Sequence, residues 1–269
     1  MTYLSRIRIN PLRAESRRLL ANPRAMHGAV SGGVPGAPDG ERVLWRLDAD
    51  NPHRPHLFVL TRSKPDWRHI VERAGWPDAE GEHAAIRDYF PLLRQIAIGR
   101  EFAFRLTASP VQNSHAPLNP TPAQAARLAA TSEADQKRPR GFRLGHRTAA
   151  AQLDWFLTRT ERWGFEVPVS RTDAPAPGLV HVGDEPTSTD SDTSDIGPAR
   201  DVRITARARR SFLKNGKGPR VTFQSATFEG RLRVTDTAAI TARLLEGIGP
   251  SKAYGCGLLT LAPLQGRAG

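Results

Sequence analysis

The chain has 269 residues, 39 of them Lys or Arg against 27 Asp or Glu, for a formal net charge of +12 with histidines neutral. That length suits one large domain or two ordinary ones, and a hydrophobic content of 39% supports packed cores, which excludes wholesale disorder. No apolar run reaches membrane-spanning length, the opening MTYLSRIRIN lacks the apolar core of a secretory signal, and the lone Cys256 has no partner for an internal disulfide.

The expectation is therefore a cytoplasmic chain whose positive excess favours a polyanion, nucleic acid first and an anionic membrane surface second. Of the basic residues 34 are Arg and 5 are Lys in an Ala-, Gly- and Pro-rich chain, so the excess is informative and the preference for Arg less so. The segment from Thr2 to Asn10 alternates as a strand does, and Ala14 to Met26 carries Leu19, Leu20 and Met26 at helical spacing, ending near His27. A Gly/Pro-rich loop follows from Ser31 to Gly40. Arg42 to Asp48 and His56 to Thr61 read as strands around a turn at Asn51-Pro52, Asp66 to Ala74 as a short helix, and Glu101 to Ala108 as a well-alternating strand. Residues 75–99 are poorly patterned. The order βαββαβ predicts a ferredoxin-like, RRM-type unit over 1–109.

A Pro-, Asn- and Ser-rich linker and a basic segment occupy 110–146, and a second unit is expected over 147–269. Thr148 to Trp163 reads as a helix, Phe165 to Val169 as a strand, and Val202 to Leu213 and Arg220 to Val234 as long strands. They flank Lys214-Asn215-Gly216-Lys217-Gly218, where Asn-Gly is a strong hairpin signal. Asp236 caps a helix to about Glu246, and Leu258 to Ala262 closes the pattern as a strand. The fold class is thus α+β, two ferredoxin-like folds in tandem. The acidic run DEPTSTDSDTSD at 184–195 reads as a disordered surface loop.

Two basic stretches stand out. KRPRGFRLGHR at 137–147 includes Arg143 and Arg147 with no acid, and Arg207, Arg209, Arg210, Lys214, Lys217 and Arg220 surround the long hairpin. Alternation places Arg207 and Arg209 on one strand face, from which they would hold phosphates in a salt-dependent way that positions rather than specifies. The run from Gly247 to Leu259 sets Gly247, Gly249, Gly255 and Gly257 around Lys252, a composition that lets backbone amides approach an anion but reads equally as a structural turn. It lacks Walker-loop spacing. His53 and His56 flank Pro55 without a ligand set, no Cys/His cluster has zinc-site spacing, and neither a metal nor another cofactor is expected. Ser251 and Cys256 read as structural, and the five tryptophans as packing residues.

The run GIGPSKAYGCGLLTLAPL closely resembles the glycine-rich terminus of the CasE family, the CRISPR repeat-processing endoribonucleases of type I-E systems. YLSRIRINP, ANPRAMH and the stretch Phe228-Glu229-Gly230-Arg231-Leu232 resemble that family too. The resemblance implies tandem RRM-like domains that bind a CRISPR repeat RNA stem-loop and cut once at its 3′ base, without metal, leaving a cyclic phosphate. It also implies a chain that is monomeric apart from its place in the type I-E surveillance complex, with other subunits. It makes His27 the catalytic histidine, a role for proton transfer near neutral pH; without it, a lone His at a helix end reads as an ordinary solvated residue. Where some relatives carry a tyrosine three residues before the histidine and a lysine about five after it, this chain has Arg24 and Gly32. Arg24 is then a candidate to neutralise the phosphorane, and Ser31 a nearby polar candidate. The alternative function is a non-catalytic stem-loop-binding subunit in which His27 is incidental.

Overall fold

The computed structural model describes residues 1–34, 41–114, 125–126, 142–170, 199–213 and 220–264. Strand β1 (Tyr3–Arg8) alternates as its sequence predicts, with Ser5 and Ile7 fully buried and Arg6 exposed. The expected single helix from Ala14 is two helices, α1 (Ala14–Ala21) and α2 (Pro23–Ser31). The break is local chemistry. Asn22 stays extended and its side chain accepts from the amides of Arg24 (3.0 Å) and Ala25 (3.4 Å), while Pro23 supplies a first helical residue that needs no donor. His27 consequently sits in the middle of a helix rather than at the end of one.

Strands β2 (Leu44–Asp48) and β3 (His56–Thr61), helix α3 (Arg68–Ala74) and strand β4 (Ala84–Asp88) complete the first unit. Its sheet runs β2-β3-β1-β4 and is antiparallel throughout, the ferredoxin-like order. The helices cover one face, burying Leu19, Met26, Val30 and Ile70 against Ile7, Leu57 and Val59.

The fourth strand departs from the sequence expectation. It is β4, from the poorly patterned region, and not Glu101–Ala108. The latter, β5, follows a short helix α4 (Phe90–Leu93) and pairs antiparallel with residues 226–233 of the second sheet. The first βαββαβ unit therefore ends near Asp88, and the second begins at Glu101 instead of 147. The misreading has a physical source: the alternation in EFAFRLTA declares a strand with one buried face but says nothing of which sheet supplies its partners.

A two-stranded ribbon of β6 (Val111–Ser114) and β7 (Phe142–Gly145) comes next, then α5 (Ala149–Leu157), capped by Thr148, and a 3₁₀ turn at Glu161–Trp163. The helix expected to run to Trp163 thus stops at Leu157. Strand β8 (Phe165–Glu166) is shorter than expected, with Val169 making only an isolated bridge to Arg200. The long strands β9 (Val202–Leu213) and β10 (Arg220–Val234), helix α6 (Thr237–Glu246), a 3₁₀ turn at Lys252–Tyr254 and strand β11 (Leu259–Ala262) follow. The second sheet runs β11-β5-β10-β8 with β9 also on β10, again the ferredoxin-like order once β8 is set aside as an extension. Phe156 stacks on Phe228 (4.7 Å) and Phe104 (5.5 Å) at the centre of its core. The Lys214–Gly218 turn, the acidic run 184–195 and residues 137–141 lie outside the described residues.

The two units share more than a linker. Leu44, Leu60 and Tyr89 of the first join the second unit's core. Arg46, its side chain only 2% exposed, pairs with Asp48 and donates across the junction to the carbonyls of Arg105 (2.9 Å) and Leu258 (3.1 Å) and to Thr260 Oγ1 (2.9 Å). This junction fixes how the two sheets, and therefore the helix carrying His27 and the C-terminal glycine run, sit against each other.

Candidate functional site

Helix α2 anchors itself through Pro23, Met26 and Val30, which are buried against the first sheet. One residue on from Met26, about 100° around the helix, His27 is half-buried. Its Nδ1 is buried and has no hydrogen-bond partner among the described residues, whereas Nε2 is not fully buried and makes no hydrogen bond there. Burial alone holds the imidazole below its ordinary value of 6.5, so the ring is neutral at neutral pH. Arg24 and Ser31, at i−3 and i+4 from His27, are both exposed and lie on the same side of the helix. A Cβ added at Gly28 would meet nothing within 4 Å, so the surface beside His27 is open. The far end of α2 is held by His69 Nε2, 2.8 Å from the Ala29 carbonyl, and by Gly33, whose Cα lies so close over Trp67 that a Cβ would come within 2.2 Å of the ring.

The C-terminal glycine run packs directly against this helix: the 3₁₀ turn Lys252–Tyr254 contacts α2 and β2. Gly247, Gly249, Gly255 and Gly257 all have positive φ, at 78°, 75°, 84° and 96°. Gly255 shows why glycine is required, since a Cβ there would stand 2.7 Å from the Trp45 ring. Chain segments more than 200 residues apart thus meet around one small hollow of about 70 Å³, lined by Pro23 and Met26 on one side and Phe223, Tyr254, Cys256 and Arg210 on the other. Tyr254 stacks on Phe223 (5.7 Å) and meets Phe212 edge-on (4.9 Å). Lys252 Nζ donates to the Glu246 carbonyl (2.6 Å), and burial, then the neighbouring Arg42 and Arg243, push its ammonium below the usual lysine range. Arg42, Arg243, Phe223 and Tyr254 are parts of this region that sequence reasoning missed. Tyr254 lies inside the glycine-rich motif and was open to notice; the other three carry no local signal.

The basic residues divide. Arg209, opposite Gln224, is exposed, and Arg207, opposite Ala226, shares its face. Arg207 also has structural work, donating to Gln152 Oε1 (2.8 Å) and to the Arg147 carbonyl and so tying β9 to α5. Arg210 points to the other face, into the hollow beside Cys256. Arg220 donates to Ser211 Oγ (3.2 Å). Arg143 and Arg147 are exposed on and just after β7. Lys214 and Lys217 lie outside the described residues. Among the described residues no cluster of three or more His, Cys, Asp or Glu is placed to hold a metal ion, and no helix is long and apolar enough to cross a membrane.

Comparison with known proteins matches residues 2–263 to the family described as CRISPR associated protein. The CRISPR-associated endoribonuclease Cse3 of Thermus thermophilus is 30% identical over 264 residues, covering 97% of this chain and all of that one. The CRISPR system Cascade subunit CasE of Escherichia coli is 41% identical over 64 residues, 24% of this chain and 31% of that one. Among solved structures, a CRISPR endoribonuclease Cse3 bound to a 19-nucleotide RNA superposes with a TM-score of 0.65 at 27% identity, over 97% of this chain and 99% of that one.

Proposed function

Because the chain belongs to the CRISPR associated protein family, as a member of its type I-E endoribonuclease branch, we propose that it cleaves CRISPR precursor RNA at the 3′ base of the repeat stem-loop. It works in the cytoplasm and keeps the mature guide RNA as a subunit of the type I-E surveillance complex. The reaction is transesterification within the RNA. The ribose 2′-oxygen forms a bond to the adjacent phosphorus, the bond from phosphorus to the 5′-oxygen breaks, and the product strand ends in a 2′,3′-cyclic phosphate.

His27 is the residue for proton transfer. A neutral imidazole with its open nitrogen toward solvent accepts the 2′-hydroxyl proton as the oxygen attacks, and the imidazolium so formed can return it to the departing 5′-oxygen. Arg24, on the same helical face, neutralises the charge that accumulates on the phosphorane oxygens, and Ser31 offers a hydroxyl at the other end of that face. The glycine-rich turn beside α2 presents backbone and Lys252 to the RNA chain, while Arg143, Arg147, Arg209 and the hairpin arginines and lysines hold stem phosphates. Since the nucleophile is the 2′-hydroxyl, a 2′-deoxy substitution at the cut site leaves a bound but uncleaved RNA.

The observation that carries this reading is the half-buried His27, its imidazole held neutral by burial, beside an open surface of a helix that packs against the glycine-rich turn. The test is incubation of the full chain with a labelled repeat RNA in EDTA. One cut at the stem base with a cyclic-phosphate end supports it; RNA that is bound and left intact overturns it in favour of a non-catalytic binder.

A further inference from the structure

The first sheet has a second face, remote from His27. Along β1 the side chains alternate, with Ile7 and Ile9 pointing under the helices and Arg6 and Arg8 pointing away from them. In register, Arg6 stands opposite Phe58 and Arg8 opposite His56. With the His53-Arg54 turn and Trp76 they line a groove of about 760 Å³ at the outer end of that face.

The cations of this groove are unspent. Several guanidiniums on the same faces of the two sheets are neutralised: Arg46 by Asp48, Arg87 by Glu82, Arg105 by Asp50 and Glu229, and Arg231 by Glu101. Among the described residues the side chains of Arg6, Arg8 and Arg54 make no hydrogen bond and no ion pair. Two carboxylates beside them are engaged elsewhere: Glu82, which lines the groove, holds Arg87 at 2.9 Å, and Asp48, paired with His56 across the sheet, holds Arg46 at 2.7 Å. Burial, and behind it the charges of Arg6 and Arg8, keep the His56 imidazole below the usual range. Half-buried Trp76, its Nε1 donating to the Ile9 carbonyl (3.3 Å), and the imidazole of His53 add flat π surfaces between the charges.

We infer that this groove is a second RNA contact, taking the single-stranded RNA that flanks the stem-loop. The inference rests on the proposed function. Unpaired guanidiniums beside stacking side chains suit a flexible strand with splayed bases, and not a duplex. The sheet itself stands between the groove and His27, so a stem seated at His27 reaches the groove only through RNA that wraps around the sheet edge. A rigid A-form stem cannot follow that path; a single strand can.

The experiment uses the full chain and the triple variant Arg6→Ala, Arg8→Ala, Arg54→Ala. Three RNAs are titrated by fluorescence anisotropy between 50 and 200 mM salt: the stem-loop alone, and the stem-loop with a 5′ or a 3′ single-stranded extension. Each carries a 2′-deoxy group at the cut site. The wild-type chain gains affinity from an extension, and its salt dependence steepens by about 2, at roughly 0.7 per phosphate for three contacts on a single strand. Over that fourfold salt range the gain therefore shrinks by a factor of about 20. The triple variant loses the gain but keeps stem-loop affinity and the cleavage rate of the unmodified RNA, and the Arg→Lys triple restores most of the gain. No gain from either extension in the wild type, a gain undiminished in the variant, or an equal loss on all three RNAs overturns the inference. A wild-type chain that fails to cut the stem-loop condemns the proposed function instead, and the anisotropy difference is read independently of cutting.

Discussion

Replacing Arg46 by Met tests how the two units are held together. The Arg46 guanidinium makes a two-point contact with Asp48, Nε to Oδ1 at 2.7 Å and Nη2 to Oδ2 at 2.9 Å, and sends Nη1 to two carbonyls and a hydroxyl of the second unit. Breaking a buried pair by removing one partner costs about 3–5 kcal/mol, because the other charge stays behind uncompensated. Two features favour the lower figure here: Arg105 Nε remains 3.5 Å from Asp48, and the Arg105 carbonyl still accepts from Thr260 Oγ1 at 3.3 Å. We expect a loss of about 3 kcal/mol, which at roughly 2–4 °C per kcal/mol for a chain of this size lowers Tm by about 6–12 °C. Thermal melts followed by tryptophan fluorescence and circular dichroism measure it. Adding Asp48→Leu should recover part of the loss, since the stranded carboxylate is then gone. A single variant within about 0.5 kcal/mol of wild type, the range of an ordinary surface substitution, would refute the reasoning.

Gly255→Ala combines a left-handed backbone at φ 84° with a methyl 2.7 Å from the buried Trp45 ring; it should lower stability by about 2–4 kcal/mol in urea melts and weaken cleavage, while a Tm unchanged from wild type would contradict the packing argument. Cys256 is 1% exposed and its thiol is pushed up to about 12 by burial, so iodoacetamide at pH 8 should leave the native chain unmodified and label it fully in denaturant; fast native labelling would refute that burial. Because His27 is held below 6.5, its neutral base form persists into mildly acidic solution and is lost only as pH falls through the lowered value. The acid limb of the single-turnover cleavage rate should therefore have its midpoint below 6.5, and a midpoint above 7 would contradict the assignment.

Much of the fold was legible because strands such as Tyr3–Arg8 and Glu101–Ala108 have one wetter and one drier face. Val202–Leu213, Arg220–Val234 and His56–Thr61 occupy the spans expected around their turn signals, and the Asp236 cap starts α6 where its side chain accepts from the amides of Ala238 and Ala239. Partnering was not legible. Ala84–Asp88 has two small residues and two exposed charged ones in a five-residue span, too little contrast to declare a strand, so the pattern alone points Glu101–Ala108 to the sheet nearer in sequence. The break at Asn22-Pro23 had a readable signal, a capping side chain before a proline, which the helical spacing of Leu19 and Leu20 before it and Met26 after it obscured. At the candidate site, the motif resemblance singled out His27 and the glycine run separately. The packing of helix α2 against that run, and the burial that leaves the imidazole neutral, are products of tertiary structure that no local pattern encodes.

The central claim is that His27 moves the proton. The direct measurement is single-turnover cleavage of the repeat RNA by His27→Ala, with stem-loop affinity measured on the same preparation. The claim predicts a rate at least about 100-fold lower, the usual contribution of a positioned acid–base group, with affinity close to wild type. Cleavage at the wild-type rate would contradict it.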